Sequence, residues 1–241
     1  ALGRIGPPLC EQRRHRCESG DALSVGGLHR FAADRDLESG ARYVPRNDAA
    51  TGKRVAIVGA GPAGLAAAYH LLRRGHAATL FDAHAEPGGM LRYGIPAFRL
   101  PPDLLDQEIE IVRILGGEFR MLTRLGTDMT LADLRRDFDA VFLAIGAQAS
   151  RGLDCPGEDL ALSAVDVLAR VAGGKGPLVP NPPLVGSDVV IVGGGNTAMD
   201  AARTVVRLGA RAVTVLYRRT RREMPCLMAE VEAAEAEGVR L

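Results

Sequence analysis

Residues 53–83 read KRVAIVGAGPAGLAAAYHLLRRGHAATLFDA, and this stretch decides the fold class. Arg54–Val58 is a short apolar run of the kind that forms a strand covered on both faces. A glycine turn follows, Gly59-Ala60-Gly61-Pro62-Ala63-Gly64. An Ala/Leu-rich helix then runs to about Arg74, and a second strand is expected over Ala77–Phe81. Each glycine has a separate reason to be there. The first permits the sharp turn, the second lets backbone approach a pyrophosphate, and the third lets helix lie close on strand, with the helix N-terminus facing the phosphates. A lone GxGxxG carries little weight. Here both strands, the helix and an acid at the end of the second strand, Asp82, come with it, and a carboxylate there can accept hydrogen bonds from ribose hydroxyls.

The pattern recurs at 187–219, SDVVIVGGGNTAMDAARTVVRLGARAVTVLYRR. The second turn, Gly193-Gly194-Gly195-Asn196-Thr197-Ala198, ends in alanine, small enough for the same packing. Both copies place a further glycine at the same offset, Gly75 after Gly59 and Gly209 after Gly193. The two endings differ. Matching the units at these glycines, with one extra residue allowed, predicts Arg218 in the place of Asp82, with Arg219, Arg221 and Arg222 close behind. A carboxylate there would repel a 2′-phosphate, whereas guanidinium groups hold one with charge-assisted bonds of about 1.5–3 kcal/mol each. Arg218 and Arg219 therefore read as a clamp for the 2′-phosphate of NADPH, and Arg221 and Arg222 fit either that role or a solvated basic helix start. Two different dinucleotides, one of them NADPH, point to a flavoprotein passing hydride between NADPH and FAD. In that case the cofactors carry the chemistry and no catalytic acid–base pair is required.

Between the repeats, residues 86–102 read as loop, 103–115 as a helix with apolar positions at helical spacing behind an acidic start, and Phe119–Leu122 as a short strand. A helix is expected at about 130–136, a buried strand at 139–147, and another helix at about 163–172. The fold class is thus α/β, with two Rossmann-like, three-layer parallel modules and a short helical N-terminal remnant. The expected division is 1–50 for the N-terminal region, 51–150 for the FAD module, 151–187 for a crossover and 188–241 for the NADPH module. The N-terminal part holds one helical stretch near Leu28–Leu37.

Composition bounds the rest. A net charge of +1 over 241 residues argues against a general nucleic-acid binder. No apolar run reaches membrane-spanning length and no leader is evident. Four scattered cysteines imply no disulfide framework and a reducing, cytoplasmic setting. Cys155 and Cys226 stand alone, so no redox disulfide is expected. The histidines at 15, 29, 70, 76 and 84 lack metal-ligand spacing, with His70 and His76 read as capping or solvating the first helix. The glutamates at 230, 232, 235 and 237 read as a solvated helix face.

The segments GAGPAGLAAAYHL, EPGGMLRYGIPAFRLP, DAVFLAIGA, PGEDL and GGGNTAMDAARTVVRLGA, followed by VTVLYRRTRREMP, closely resemble the small (β) subunit family of NADPH-dependent glutamate synthase. Dihydropyrimidine dehydrogenase and the flavoprotein subunits of ferredoxin–NADP and formate dehydrogenase complexes share its plan. The resemblance implies FAD contacts from Gly59, Gly61, Pro62, Ala63 and Gly64 at the pyrophosphate and from Asp82 at the adenosine ribose. It also places Gly89, Met90 and Leu91 toward the flavin with Arg99 nearby, backbone around Leu125 near the adenine, and Gly146 closing the site. For NADPH it implies Gly193, Gly195, Asn196, Thr197 and Ala198, with Arg218 and Arg219 on the 2′-phosphate. It further implies a partner, a larger catalytic subunit or another iron–sulfur or flavin protein, as electron acceptor.

Two departures from the family pattern stand out. Where it carries cysteines that help hold four-iron clusters, this chain has Gly6 and Arg14, keeps Cys10 and shifts Cys17 out of register, so a 4Fe-4S cluster on this chain is not expected. The family also continues beyond EAEGVRL, which leaves an incomplete parallel sheet, and the first residue, Ala1, fits a processed or partial chain.

Overall fold

A computed structural model describes residues 25–40, 43–147, 152–153, 155–173 and 186–241. The expectations for Cys10, Cys17 and His15 lie outside these residues. Helix α1, Val25–Glu38, covers the expected N-terminal helical stretch.

Strands β1 (Arg54–Val58), β2 (Ala77–Phe81), β3 (Glu118–Arg120) and β4 (Ala140–Leu143) form one parallel sheet in the order β3-β2-β1-β4. Alternate residues face opposite ways, as the period of two requires. Val55, Ile57, Ala78 and Leu80 pack against helices α2 (Pro62–Arg73) and α4 (Pro102–Ile114). Ala56, Val58 and Phe81 face Leu134 of α5 (Leu131–Asp137). The central strands β1 and β2 are therefore covered on both faces, which explains their short, unalternating apolar sequences.

Two sequence expectations are corrected here. The stretch 86–102 is not all loop, because α3, Met90–Tyr93, makes one helical turn between Gly89 and Gly94. Tyr93 anchors it by accepting from the Glu86 backbone N–H at 3.2 Å and stacking on His84, ring centroids 4.5 Å apart. Nor is β4 buried, since Phe142 and Leu143 are exposed. β4 is an edge strand, as is β3, and of its residues only Val141 reaches the apolar layer under α5.

After a crossover containing α6, Ala164–Val171, strands β5 (Asp188–Val192) and β6 (Ala212–Leu216) pair in parallel, linked by α7, Asn196–Arg207. Val189, Ile191, Val213 and Val215 pack with α7 and α8 (Met228–Ala236), whose Val231 is fully buried. On the opposite face Val190, Val192 and Leu216 are exposed. The chain returns beside β6, where Thr214 and Arg240 form a parallel bridge. Among the described residues no helix is long and apolar enough to cross a membrane.

Candidate functional site

The first glycine turn is fixed by backbone on every side but one. Gly59 has φ of 109° and donates its N–H to the Phe81 carbonyl; a Cβ on it would lie 2.1 Å from the Ala144 oxygen. A Cβ on Gly64 would lie 1.8 Å from the Gly59 oxygen. These two glycines are demanded by packing. Gly61 differs, because a Cβ there would meet only the Gly89 Cα, at 3.7 Å. Its surroundings leave room for a ligand's backbone-hugging group. Pro62 opens α2, whose N-cap Gly61 offers no side-chain cap, and Ala63 is exposed beside it.

Around this turn the structure gathers three other segments. The loop at Gly88–Gly89 closes over it, with Gly88 N–H donating to the Ala60 carbonyl at 2.8 Å. The β4 end reaches it through Ala144, with the exposed Gly146 two residues beyond at φ of 73°. Residues 122–125 run beside Asp82, where Leu122 and Thr123 donate N–H groups to the His84 and Asp82 carbonyls. Leu122 has φ of 55°, a left-handed conformation that is uncommon for leucine. Leu125 itself packs on the layer under α5. Met90 is exposed, whereas the Leu91 side chain points into the first core and is buried.

Asp82 is already engaged. Its Oδ2 accepts the Ala60 N–H at 2.8 Å, and its Oδ1 accepts the His84 N–H at 2.9 Å and meets His84 Nδ1 at 2.8 Å. Burial alone would raise its carboxyl; the bonds from His84 and from the Ala60 N–H outweigh this and hold it below the usual carboxylate range. Sequence reasoning passed over His84 as a residue with no metal-ligand spacing. The available signal was its place two residues after an aspartate, the spacing of an Asx turn.

The second turn repeats the plan with different bracing. Gly193 has φ of 138° and donates to the Leu216 carbonyl. A Cβ on Gly194 would meet the Tyr217 ring at 2.6 Å, while Gly195 has nothing within 4 Å of that position. Asn196 Oδ1 accepts the Leu227 N–H at 3.1 Å, and Gly194 accepts from Cys226, so the segment after the arginines supports the turn. Thr197 is exposed and Ala198 is buried under the turn. Gly195 is open and Gly61 has one ordinary contact, with Gly89, and each lies beneath the uncapped start of a helix. That arrangement suits a pyrophosphate.

The register corrects the expected equivalence at the strand ends. Gly59 bonds to Phe81 and Gly193 bonds to Leu216, so Tyr217, not Arg218, stands where Asp82 stands, and Arg218 is one residue further. Asp82 lies seven residues after Gly75 and Tyr217 eight after Gly209, so the single extra residue of the second unit leads to Tyr217, and Arg218 would need two. Tyr217 lies flat against Gly194 and donates its hydroxyl to the Glu223 carbonyl at 3.0 Å. Arg218 and Arg219 are exposed, and neither forms an ion pair among the described residues. Arg221 instead pairs with Glu235 at 2.7 Å.

Arg99, expected near the flavin, reaches the second unit. Its Nη1 donates to both Asp200 oxygens, at 2.9 and 2.8 Å, and its Nε lies 3.2 Å from Glu230. Glu230 and Glu237, read as part of a solvated face, are half-buried and bound by Arg203. Burial raises the Asp200 carboxyl despite the guanidinium on it. His76 bonds Thr51 Oγ1 at 2.7 Å. Among the described residues no group of three His, Cys, Asp or Glu side chains is placed to hold a metal ion.

With this geometry the comparison with known proteins is direct. The family model for pyridine nucleotide-disulphide oxidoreductases matches residues 53–241, both βαβ units included. The chain belongs to this family. It is 42% identical to the glutamate synthase [NADPH] small chain of Escherichia coli, over 98% of this chain and 52% of that protein. It is 41% identical to the NADP(+)-dependent formate dehydrogenase subunit beta of Moorella thermoacetica and 40% identical to a Geobacter sulfurreducens NADPH-Fe(3+) oxidoreductase subunit beta. Each of those two alignments covers 99% of this chain and 36% of the relative. The chain therefore spans about half the length, or less, of these relatives. Among solved structures it resembles Mycobacterium tuberculosis FprA in complex with NADPH, with a TM-score of 0.66 at 24% identity over 77% of this chain and 48% of that one. That likeness speaks for the fold. Membership of the family implies FAD and a pyridine nucleotide as cofactors, and the open positions at Gly61 and Gly195 are compatible with both.

Proposed function

We propose that this chain is the NADPH-oxidising, FAD-binding part of an electron-input flavoprotein, of the kind named small chain or subunit beta among its relatives. The observation that carries the reading is the pairing of two glycine turns with opposite charge beyond them. One leads to a half-buried carboxylate, Asp82, and the other to exposed Arg218 and Arg219, which form no ion pair among the described residues. FAD would occupy the first module, residues 51–150, and NADPH the second, 188–241, with 151–187 crossing between them.

When bound, the two cofactors supply hydride transfer from dihydronicotinamide to flavin, followed by electron delivery to an acceptor. The residues of this chain bind and orient. Gly59, Gly61, Ala63 and Gly64 present backbone to one pyrophosphate, and Gly193, Gly195, Asn196, Thr197 and Ala198 to the other. Asp82 keeps its carboxylate ionised beside the expected ribose, and His84 shares it. Gly89, Met90 and the backbone of Leu91 form the wall expected toward the flavin. Leu125 and Gly146 lie on segments that border the same turn. Arg218 and Arg219 supply positive charge for a 2′-phosphate.

The acceptor is read from the relatives. Their names favour a larger partner subunit, and the glutamate synthase small chain of Escherichia coli makes glutamate synthesis the leading destination for the electrons. The formate dehydrogenase and NADPH-Fe(3+) oxidoreductase relatives at similar identity support a second reading, electron input to another dehydrogenase complex. The test is a visible spectrum of the purified chain supplied with FAD, then with NADPH under anaerobic conditions. Bound-flavin absorption that bleaches with NADPH supports the proposal. A colourless chain after FAD addition would overturn it in favour of a partner-binding role.

A further inference from the structure

Arg99 ties a loop of the first unit to two helices of the second. Its loop is anchored to the first unit, where Arg99 and Leu100 donate N–H groups to the Pro96 carbonyl and Leu100 packs on the first core. Pro101 and Pro102 follow, with fixed φ, and lead into α4. On its other side the loop follows α3 and the Gly88–Gly89 lid over Gly61. The Arg99 guanidinium crosses to the second unit and grips two helices at once, Asp200 of α7 and Glu230 of α8. Asp200 lies four residues beyond Asn196, so about 6 Å along α7 from the second glycine turn.

Its neighbour Phe98 makes a second contact of the same kind, beneath the guanidinium groups of Arg203 at 4.6 Å and Arg207 at 3.8 Å. Around them Asp200, Glu230 and Glu237 balance Arg99, Arg203 and Arg207 in one connected network. The Asp200 side chain is only 5% exposed, Glu230 17% and Arg99 24%. An ion pair this deep gives back in attraction much of what desolvation costs, so it is poor evidence for stability; specifying one arrangement is the better-attested use. A planar fork on two carboxylates from two helices fixes rotation as well as distance, which an ammonium would not.

We propose that Arg99 is a positioning residue. Through Asp200 and Glu230 it sets the orientation of the second βαβ unit relative to the first, and so the alignment of nicotinamide with flavin. This rests on the functional reading above. Reacting atoms must lie about 3–3.5 Å apart, and a misplacement of about 1 Å costs on the order of 100-fold in rate.

The test compares Arg99→Gln, Arg99→Lys and Asp200→Asn with the parent holoprotein in three measurements. These are FAD and NADP+ affinity, the single-turnover rate of flavin reduction by NADPH, and the distance between nitroxides at Arg135→Cys and Glu232→Cys with Cys10, Cys17 and Cys155 changed to Ser. Arg99→Gln is expected to keep both affinities within about threefold and to slow reduction by about tenfold to 100-fold. The inter-unit distance distribution should broaden, and Arg99→Lys should restore part of both effects. Asp200→Asn, which keeps shape and leaves Arg99 its Glu230 partner, should fall between and decides the matter where Arg99→Gln does not fold. An unchanged reduction rate overturns the proposal. So does an unchanged distance distribution, and loss of FAD affinity without a distance change would make Arg99 a flavin contact instead. The distance measurement needs no cofactor. Failure of the parent protein to bleach with NADPH would therefore sink the functional reading and leave the orientation claim to be judged on the distances.

Discussion

Replacing Gly64 by alanine separates packing from ligand binding most cleanly. Gly64 lies in the first turn of α2, and helix propensity alone says alanine should gain about 1 kcal/mol there. The tertiary contact reverses the sign. The new Cβ would lie 1.8 Å from the Gly59 oxygen and 3.2 Å from Ile57 Cγ2. An ordinary C···O contact needs about 3.3 Å, so helix and turn must separate by about 1.5 Å. Neither can yield easily, because Gly59 is bonded to Phe81 and crowded by Ala144. Overpacking costs about 1–3 kcal/mol and occasionally more. With backbone on both sides the upper end applies, for a net loss of about 2 kcal/mol. Gly61→Ala is the control. Its Cβ would meet only the Gly89 Cα at 3.7 Å, an ordinary contact, so stability should stay within about 0.5 kcal/mol while FAD affinity falls. Urea unfolding followed by circular dichroism without cofactor, and FAD titration followed by flavin fluorescence, read the two effects separately. A Gly64→Ala protein as stable as its parent would refute the packing argument. Equal destabilisation by Gly61→Ala would show that Gly61 is held by packing and is not part of a cradle.

Further outcomes follow from the charges. Arg218→Ala should weaken NADPH binding by about tenfold to 100-fold, the worth of one charge-assisted bond, and leave NADH within about twofold, as measured by calorimetry. Arg221→Ala should do much less, because Arg221 is already paired with Glu235; equal losses for NADPH and NADH would remove the 2′-phosphate assignment. Asp82 has a carboxyl depressed in the folded state, so its contribution to stability is complete above the unfolded value of about 3.9 and is lost as pH falls through its lower folded value. The stability gap between the parent and Asp82→Asn, measured by urea unfolding, should therefore narrow between pH 5 and pH 3, and a gap that widens toward acid would contradict the hydrogen-bond account. Tyr217→Ala removes the ring lying on Gly194 and the hydroxyl bond to Glu223. It should loosen the arginine segment and raise the NADPH dissociation constant by several-fold without altering FAD binding.

What the sequence determined by itself is the local plan. Short apolar strands, glycine turns and Ala-rich helices are near-neighbour features, so β1, α2 and β2 were legible to within a residue or so, and the order of β5, α7 and β6 was legible too. So was the contrast between a carboxylate and a cluster of arginines. Tertiary structure decided everything that depends on register or on distant partners. The single extra residue before the end of β6 carries the equivalence only as far as Tyr217, one short of the expected Arg218. The edge position of β4 left Phe142 and Leu143 uncovered, although their sequence reads as core. The bonds of Asp82 to Ala60 and His84, and the reach of Arg99 to Asp200 and Glu230, join residues whose separation in the chain carries no periodic signal. Periodicity reports which face of an element is apolar. It cannot report which charge lies opposite once two such faces have met, because that depends on packing geometry and not on the order of residues along the chain.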